Sequence, residues 1–239
     1  MQSETRFELN PIILAIETST DACSVAIYTP RNMFSQFVVQ PQAHSKILLG
    51  LVDEMCADAG IDLDEIDALA FGSGPGSFTG VRIAASAIQG LAVGLNKPII
   101  AISSLQALAQ QVANSDPKAN ILALIDARMQ EIYCGIYKAN AQGLVESLVQ
   151  DSLQKPSDFL VDSSINYVAV GTGAHAYADI LQQNNANINI NQSILHPRAQ
   201  EVAQLATAKL ARGETLKPED AIPTYIRNDV AQKGKKNPD

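Results

Sequence analysis

Two segments of this chain share one shape, and that limits the folds open to it. From residue 12 the sequence reads IILAIETSTDACSVAIY, and from residue 121 it reads ILALIDARMQEIYCGIY. Each is an apolar run, a polar turn and a returning run that closes on Ile-Tyr, the signature of a β-hairpin. Displaced by 109 positions, Ile16 meets Ile125, Glu17 meets Asp126, Ile27 meets Ile136 and Tyr28 meets Tyr137. Hairpins also recur by chance in α/β proteins, but a carboxylate at the end of the first strand in both copies favours duplication. A boundary in NSDPKAN then gives an N-terminal lobe, 1–112, and a C-terminal lobe, 113–239, each opening on a hairpin. The final helix is expected to pack back on the first lobe.

The text between the hairpins alternates helix and strand. SKILLGLVDEMCADAG reads as helix, IDALAFG as strand, residues 79–95 as helix, KPIIAIS as strand and SLQALAQQVAN as a helix capped by Ser103 or Ser104. After the second hairpin, INYVAVGTGAHAYADILQQ reads as strand, turn and helix, and NNANININQS as a polar connection. PRAQEVAQLATAKLARG reads as a helix with proline at its start and glycine at its end. With 239 residues, 46% of them apolar, the chain suffices for two cores in an α/β arrangement.

Composition excludes some function classes. The formal charge is −8 and the sequence pI near 4.9, which disfavours direct contact with nucleic acid. The one basic cluster, Lys233, Lys235 and Lys236, falls in a tail, 228–239, expected to be disordered. Cys23, Cys56 and Cys134 lie far apart without metal-site spacing and read as reduced thiols. No apolar stretch reads as long enough to span a bilayer, and the opening MQSETRFELN lacks the pattern of an export signal. A cytoplasmic protein without a membrane partner is expected.

The stretch FGSGPGSFTGVRIAASAIQGLAVGL, residues 71–95, has the look of a phosphate loop. It fits neither standard pattern, since no lysine follows the glycines and Thr79 stands where the dinucleotide motif needs glycine. A strand-to-helix turn, with Ser77 and Thr79 placed to cap the helix, is the plainer reading, although the free N–H groups of such a helix start can receive an anion. Farther along, Ile83, Ala87, Gly90 and Gly94 leave one helix face nearly without side chains. Glycine in a helix costs about 1 kcal/mol relative to alanine, so a close-approaching backbone is expected, inside the chain or from another. Helix 46–59 is apolar on more than one face, which favours another chain. Candidate interface residues are therefore Ile47, Leu48, Leu51, Val52, Met55, Ile83, Ala87, Gly90 and Gly94. His44, His175 and His196 sit singly and read as surface or capping residues.

In order along nearly the whole chain, ILAIETSTDACSVAIY, HSKIL, GSGPGSFTGVRIAASAIQGLA, ISSLQALAQ, DARMQEIY, VGTGA and PTYIR resemble the bacterial TsaB family of tRNA threonylcarbamoyladenosine biosynthesis proteins. The resemblance implies a two-lobed fold of the actin, sugar-kinase and heat-shock-protein ATPase type with duplicated β-sheet cores. It implies nucleotide-facing positions at Thr18, Ser19 and Thr20, at Asp126 to Met129, and at Gly171 and Gly173. The bare turns leave ordinary turn chemistry open at all of these, and ARM, with two long side chains and no glycine, reads as an eroded phosphate turn. The catalytic relative TsaD binds its metal through two histidines four residues apart on a helix. Alignment on KPIIAIS puts Ser104 and Leu108 there, so no metal, no cofactor and no catalytic residue is expected. Ala84 stands where the family has glycine, and Arg82, Asp126 and Arg128 receive no role beyond ion pairing or partner contact.

The implied function is a non-catalytic scaffold for TsaD. TsaC makes threonylcarbamoyl-adenylate, TsaD transfers the group to N6 of adenosine 37 in tRNAs reading codons that begin with A, and the ATPase TsaE joins the pair. A homodimer through the same surface is expected to compete, and tRNA is met only through the complex. The alternative is an autonomous ATPase or kinase of the same superfamily.

Overall fold

The computed structural model describes residues 11–227. The opening decapeptide and the tail 228–239, with its lysine cluster, lie outside the described residues. Ten strands form two five-stranded sheets. In the first, β1 (Ile13–Glu17), β2 (Ala22–Tyr28), β3 (Met33–Val39), β4 (Ala68–Gly72) and β5 (Ile99–Ile102) lie in the order β3-β2-β1-β4-β5. In the second, β6 (Asn120–Asp126), β7 (Ile132–Ala139), β8 (Val145–Gln154), β9 (Tyr167–Val170) and β10 (Ile188–Ile190) lie in the order β10-β9-β6-β7-β8. Each sheet is an antiparallel meander continued by parallel strands on the far side of its first strand. This is one topology used twice, a duplicated β-sheet core in a two-lobed α/β fold.

The duplication differs in detail from the 109-residue displacement. β1 pairs with β2 so that Glu17 faces Ser24, and β6 pairs with β7 so that Ile125 faces Tyr133. The second strands correspond at 109 and the first strands at 108, because the second turn carries one residue more. Ile125, not Asp126, is therefore the counterpart of Glu17. The two carboxylates occupy different places: Glu17 is buried beneath its turn, and Asp126 is half-buried at the end of its strand.

Among the described residues six α-helices cover the sheets. α1 (His44–Ala59) and α2 (Phe78–Leu95) lie on the outer face of the first sheet, where Leu48, Leu51, Val52, Met55, Ala84, Ala85, Ile88 and Ala92 pack against Leu14, Ile16, Val25, Ile27, Leu69 and Phe71. α4 (Thr172–Ala176) and α5 (Ala178–Asn184) cover the outer face of the second sheet. Between the sheets lie α3 (Ser104–Ala113) and α6 (Ala199–Ala211), and they are exchanged: α3 packs mainly on β6, β7 and β8, α6 on β1, β2, β4 and β5. One apolar core therefore runs through both lobes. A cut after residue 112 falls within the last turn of α3, a helix that belongs by packing to the second sheet.

Local chemistry explains the element ends. Ser103 caps α3, its Oγ accepting from Gln106 N at 3.3 Å and donating to Asp151 Oδ2 at 2.6 Å. Tyr137 donates to the other oxygen of Asp151, so a half-buried carboxyl, raised in pKa by its burial, joins the start of α3 to β7 and β8. Gly60 closes α1 at φ 64°, a conformation glycine adopts without cost. Leu216 and Ile99 exchange backbone hydrogen bonds of 2.7 and 3.1 Å, which covers the free edge of β5.

Three expectations need correction. β3, β8 and β10 escape the pattern reading; β3 and β8 are sheet edges largely exposed to solvent and lack a clean buried alternation, and β10 hides in the polar stretch NNANININQS. α2, with Arg82 its sole charge over 18 residues, is long and apolar enough by composition to cross a bilayer, although a third of it is buried in the lobe. The thiols Cys23 and Cys134 are buried, but Cys56 is only half-buried.

The shared core makes α3 a stability element for both lobes. Leu108 is fully buried on α3 and lies against Gly171 of the second lobe. Leu108→Ala is expected to cost about 2–5 kcal/mol in urea unfolding followed by circular dichroism; a loss under about 1 kcal/mol would remove α3 from that role.

Candidate functional site: an interlobe cleft and a helical groove

The glycine loop is shaped by steric need. A Cβ at Gly76 would stand 2.3 Å from Ser19 O, and one at Gly80 would stand 2.0 Å from Thr18 O. The loop thus lies directly on the first hairpin turn. Ser77 N donates to Ser19 O at 2.7 Å, Thr18 Oγ1 donates to Gly80 O at 2.8 Å, and Ser77 Oγ caps α2 by accepting from Gly80 N at 3.3 Å. Thr79 is exposed in the first turn and supplies no cap. Thr18 is fully buried, so its hydroxyl faces the loop and not a phosphate.

Thr20 is held from two sides. His44, read from the sequence as a surface or capping residue, is buried at the start of α1, and its Nε2 donates to Thr20 O at 2.7 Å. His196 Nδ1 lies 3.0 Å from Thr20 Oγ1, and burial pushes the pKa of this imidazole down, so it is neutral at pH 7. His175 is exposed, as expected.

These elements line a cleft of about 450 Å³ between the lobes. Ser19, Thr20 and Asp21 face it from the first turn, Pro75 to Phe78 from the glycine loop, Ile125 to Arg128 from the second turn, and Thr224 to Arg227 from the C-terminal strap. In the second turn Arg128, Met129 and Gln130 all have positive φ, near 60°, 55° and 60°. Three non-glycine residues there are strained, and Arg227 buttresses them by donating to Glu131 Oε2 at 2.5 Å and to Ala127 O at 3.1 Å. Arg128 Nη1 stands 3.6 Å from Asp126 Oδ2, the ion pairing expected of these two.

Gly171 and Gly173 do not face the cleft. A Cβ at Gly171 would meet Leu124 O at 2.2 Å, and one at Gly173 would meet backbone atoms of Leu124 and Ile125 at 3.0 Å. Both are glycine so that the start of α4 can lie on β6. The residue between them, missed in the sequence, lines the cleft: Thr172 Oγ1 accepts from Asp126 N at 3.0 Å.

Ser104 and Leu108, which the sequence reading set at the positions of the TsaD histidines, are absorbed by packing and hydrogen bonding. Ser104 Oγ donates to Glu17 Oε2 at 2.8 Å, and Glu17 Oε1 accepts from Ser19 N at 2.5 Å. Glu17 is 1% exposed, and its burial raises its pKa above the usual range. Among the described residues no group of three or more His, Cys, Asp or Glu side chains is placed to hold a metal ion.

A second concavity, of about 630 Å³, opens on the surface between α1 and α2, lined by Ser45, Leu48, Leu49, Phe78, Thr79, Arg82, Ile83, Ser86, Ala87, Gly90 and Leu91. Gly90 and Gly94 are exposed, and a Cβ on either would meet nothing within 4 Å. Among the described residues the internal close approach that would explain these glycines is absent. Ile83 and Ala87 are half-buried in the groove wall. Leu48, Leu51, Val52 and Met55 face the chain's own sheet at 2–7% exposure, and Ile47 is half-buried against the same core. They form the ordinary inward stripe of an amphipathic helix, so they do not supply the open apolar area. That area comes from Leu49, 58% exposed, and Leu91 in the groove, and from Val93, 70% exposed, on α2 beyond the groove lining.

A family model for TsaD, described as tRNA N6-adenosine threonylcarbamoyltransferase, matches residues 38–235. The tRNA threonylcarbamoyladenosine biosynthesis protein TsaB of Escherichia coli K12 is 36% identical over 224 residues, covering 92% of this chain and 96% of its own. The chain belongs to the TsaB family. TsaB of Haemophilus influenzae is 34% identical over 235 residues, covering 94% and 97%. Among solved structures, YeaZ from Pseudomonas aeruginosa superposes with a TM-score of 0.83 at 37% identity, over 90% of this chain and 99% of that one. The TsaB-family chain thus has the length and fold of its relatives.

The buried carboxyl under the first turn makes stability depend on pH. Because burial raises the folded pKa of Glu17 above the ordinary carboxylate value, protonation favours the fold. That contribution is full below the unfolded pKa and lost as pH rises through the folded one. Glu17→Gln keeps an acceptor for Ser19 N and is expected to gain stability relative to the parent between pH 4.5 and pH 8. Urea midpoints at the two pH values test this, and a constant difference would refute it.

Proposed function

We propose that this chain acts in tRNA threonylcarbamoyladenosine biosynthesis as a non-catalytic partner that holds TsaD in its working form. The observation that carries the reading is the open stripe on α2. Gly90 and Gly94 each cost the helix about 1 kcal/mol, and among the described residues nothing approaches the space they leave. A helix from outside can use that space, since small residues let axes come to the near end of the 8–10 Å range.

The match to the TsaD model supports a partner built on the same plan. α1 and α2 would then meet their counterparts as a four-helix bundle, with Leu49, Leu91 and Val93 adding apolar area at about 1.5–3 kcal/mol per fully buried large side chain. A second copy presents the same surface, so a homodimer competes with the heterodimer. Absence of chemistry in this subunit is supported by the commitment of Thr18, Ser104 and Leu108 to packing and hydrogen bonding within the fold. In this scheme TsaC supplies the threonylcarbamoyl group as an adenylate, and TsaD transfers it to adenosine 37 of tRNAs reading codons that begin with A. TsaE joins the pair, and tRNA meets this cytoplasmic subunit only through the complex.

Gly90→Leu is expected to abolish co-elution with TsaD in size-exclusion chromatography while leaving the circular dichroism of the monomer unchanged. Gly90→Ala should raise monomer stability by about 0.5–1 kcal/mol and weaken pairing. Normal pairing by Gly90→Leu would place the interface elsewhere.

A further inference from the structure

The α1–α2 groove is apolar or uncharged along its length except at one end. Among the described residues Arg82 is the only charged one that lines it. The guanidinium carbon lies 3.3 Å from the centroid of the Phe78 ring and 4.9 Å from that of Tyr225, and Nη1 donates to Phe78 O at 3.1 Å. The two rings are 52% and 46% exposed. Among the described residues no carboxylate pairs with Arg82. The group is therefore held in position by aromatic faces while its charge goes unanswered.

Its place on the helix sharpens the point. Ser77 is the N-cap of α2, and the Arg82 side chain folds back toward that end. The positive end of the helix dipole disfavours a cation there and favours an anion. Stacking on two rings offsets this but leaves most of the planar fork of N–H donors, the geometry that matches a carboxylate, without a protein acceptor.

We propose that the groove's occupant, read above as the TsaD counterpart helices, brings a carboxylate side chain to Arg82 at the first turn of α2. The inference rests on that reading and adds the partner's chemistry. A stripe of Ala87, Gly90 and Gly94 gives closeness without register, since a helix can slide along it by a turn. One charge-assisted contact at its end selects a single register. It also selects the partner: the residues lining the groove include no carboxylate, so a second copy presenting this face leaves both guanidinium groups unpaired, whereas a partner with the acid does not.

The test measures dissociation constants for full-length TsaD of the same organism, and self-association, by sedimentation at low and high salt. Arg82→Ala is expected to weaken TsaD pairing about tenfold or more at low salt, with a smaller salt dependence than the parent, and to leave self-association unchanged. Arg82→Lys should recover only part of the loss, because an ammonium lacks the fork. Tyr225→Leu, which removes one stacked ring and keeps the charge, should cost less than about threefold. If Tyr225→Leu weakens pairing as much as Arg82→Ala, stacking and not the charge is responsible and the proposal fails. If Arg82→Ala binds TsaD as the parent does while Gly90→Leu does not, the carboxylate contact is wrong and the pairing face stands. If Gly90→Leu also binds normally, the pairing face itself is wrong.

Discussion

Two backbone contacts set the geometry of the first lobe. The carbonyls of Thr18 and Ser19 sit where any side chain at Gly80 or Gly76 would have to be, so the glycine loop can close on the hairpin turn only with glycine at both places. Hydrogen bonds from Ser77 N and Thr18 Oγ1 then lock the loop to the turn. The start of α2 is fixed by this junction, and the helix runs from it with Val81, Ala84, Ala85, Ile88 and Ala92 against the sheet. Its other face, with Ile83, Ala87, Gly90 and Gly94, is left turned to the groove and solvent.

The same junction commits part of the cleft wall to contacts within the fold. A phosphate turn needs free hydroxyls and N–H groups aimed into the cavity. Here Thr18 donates to Gly80, Thr20 is taken by His196, and Gly171 and Gly173 are used against β6. On the opposite wall Arg128, Met129 and Gln130 hold a strained left-handed turn that Arg227 ties to the strap. Both walls thus carry contacts that hold the two lobes and the strap together, while Ser19 Oγ, also in the cleft lining, has no hydrogen-bond partner among the described residues.

Much of the architecture was legible in the sequence because hydrophobic period and turn chemistry agree there. The two hairpins, the capped α3, the glycine-terminated α1 and the parallel strands β4 and β5 all announce themselves. Edge strands β3 and β8 did not, since an exposed edge lacks the alternation that burial imposes. The offset of the repeat was misread by one residue in its first strands, because an extra residue in a turn moves a carboxylate without altering the apolar pattern. On α1 the strongest stripe, Leu48, Leu51, Val52 and Met55, was assigned to a partner although such a stripe is what the chain's own core requires. The informative residue was Leu49, the one that does not fit the inward stripe. Thr172 carried no signal, since only the fold brings it beside Asp126.

A sequence that specifies one structure satisfies local and global demands together, and departures from that agreement gather where something outside the chain must be met. α2 shows two departures. It carries glycines where no backbone among the described residues comes near, and a cation close to its positive end. The inward half of the same helix obeys every rule of packing, with Ala84 and Ile88 fully buried. A fault of folding would not sort itself by helix face. The sorting follows if the outward face answers to a second set of constraints, closeness from the glycines and charge from Arg82, and a helix of opposite character laid along the groove would satisfy both at once.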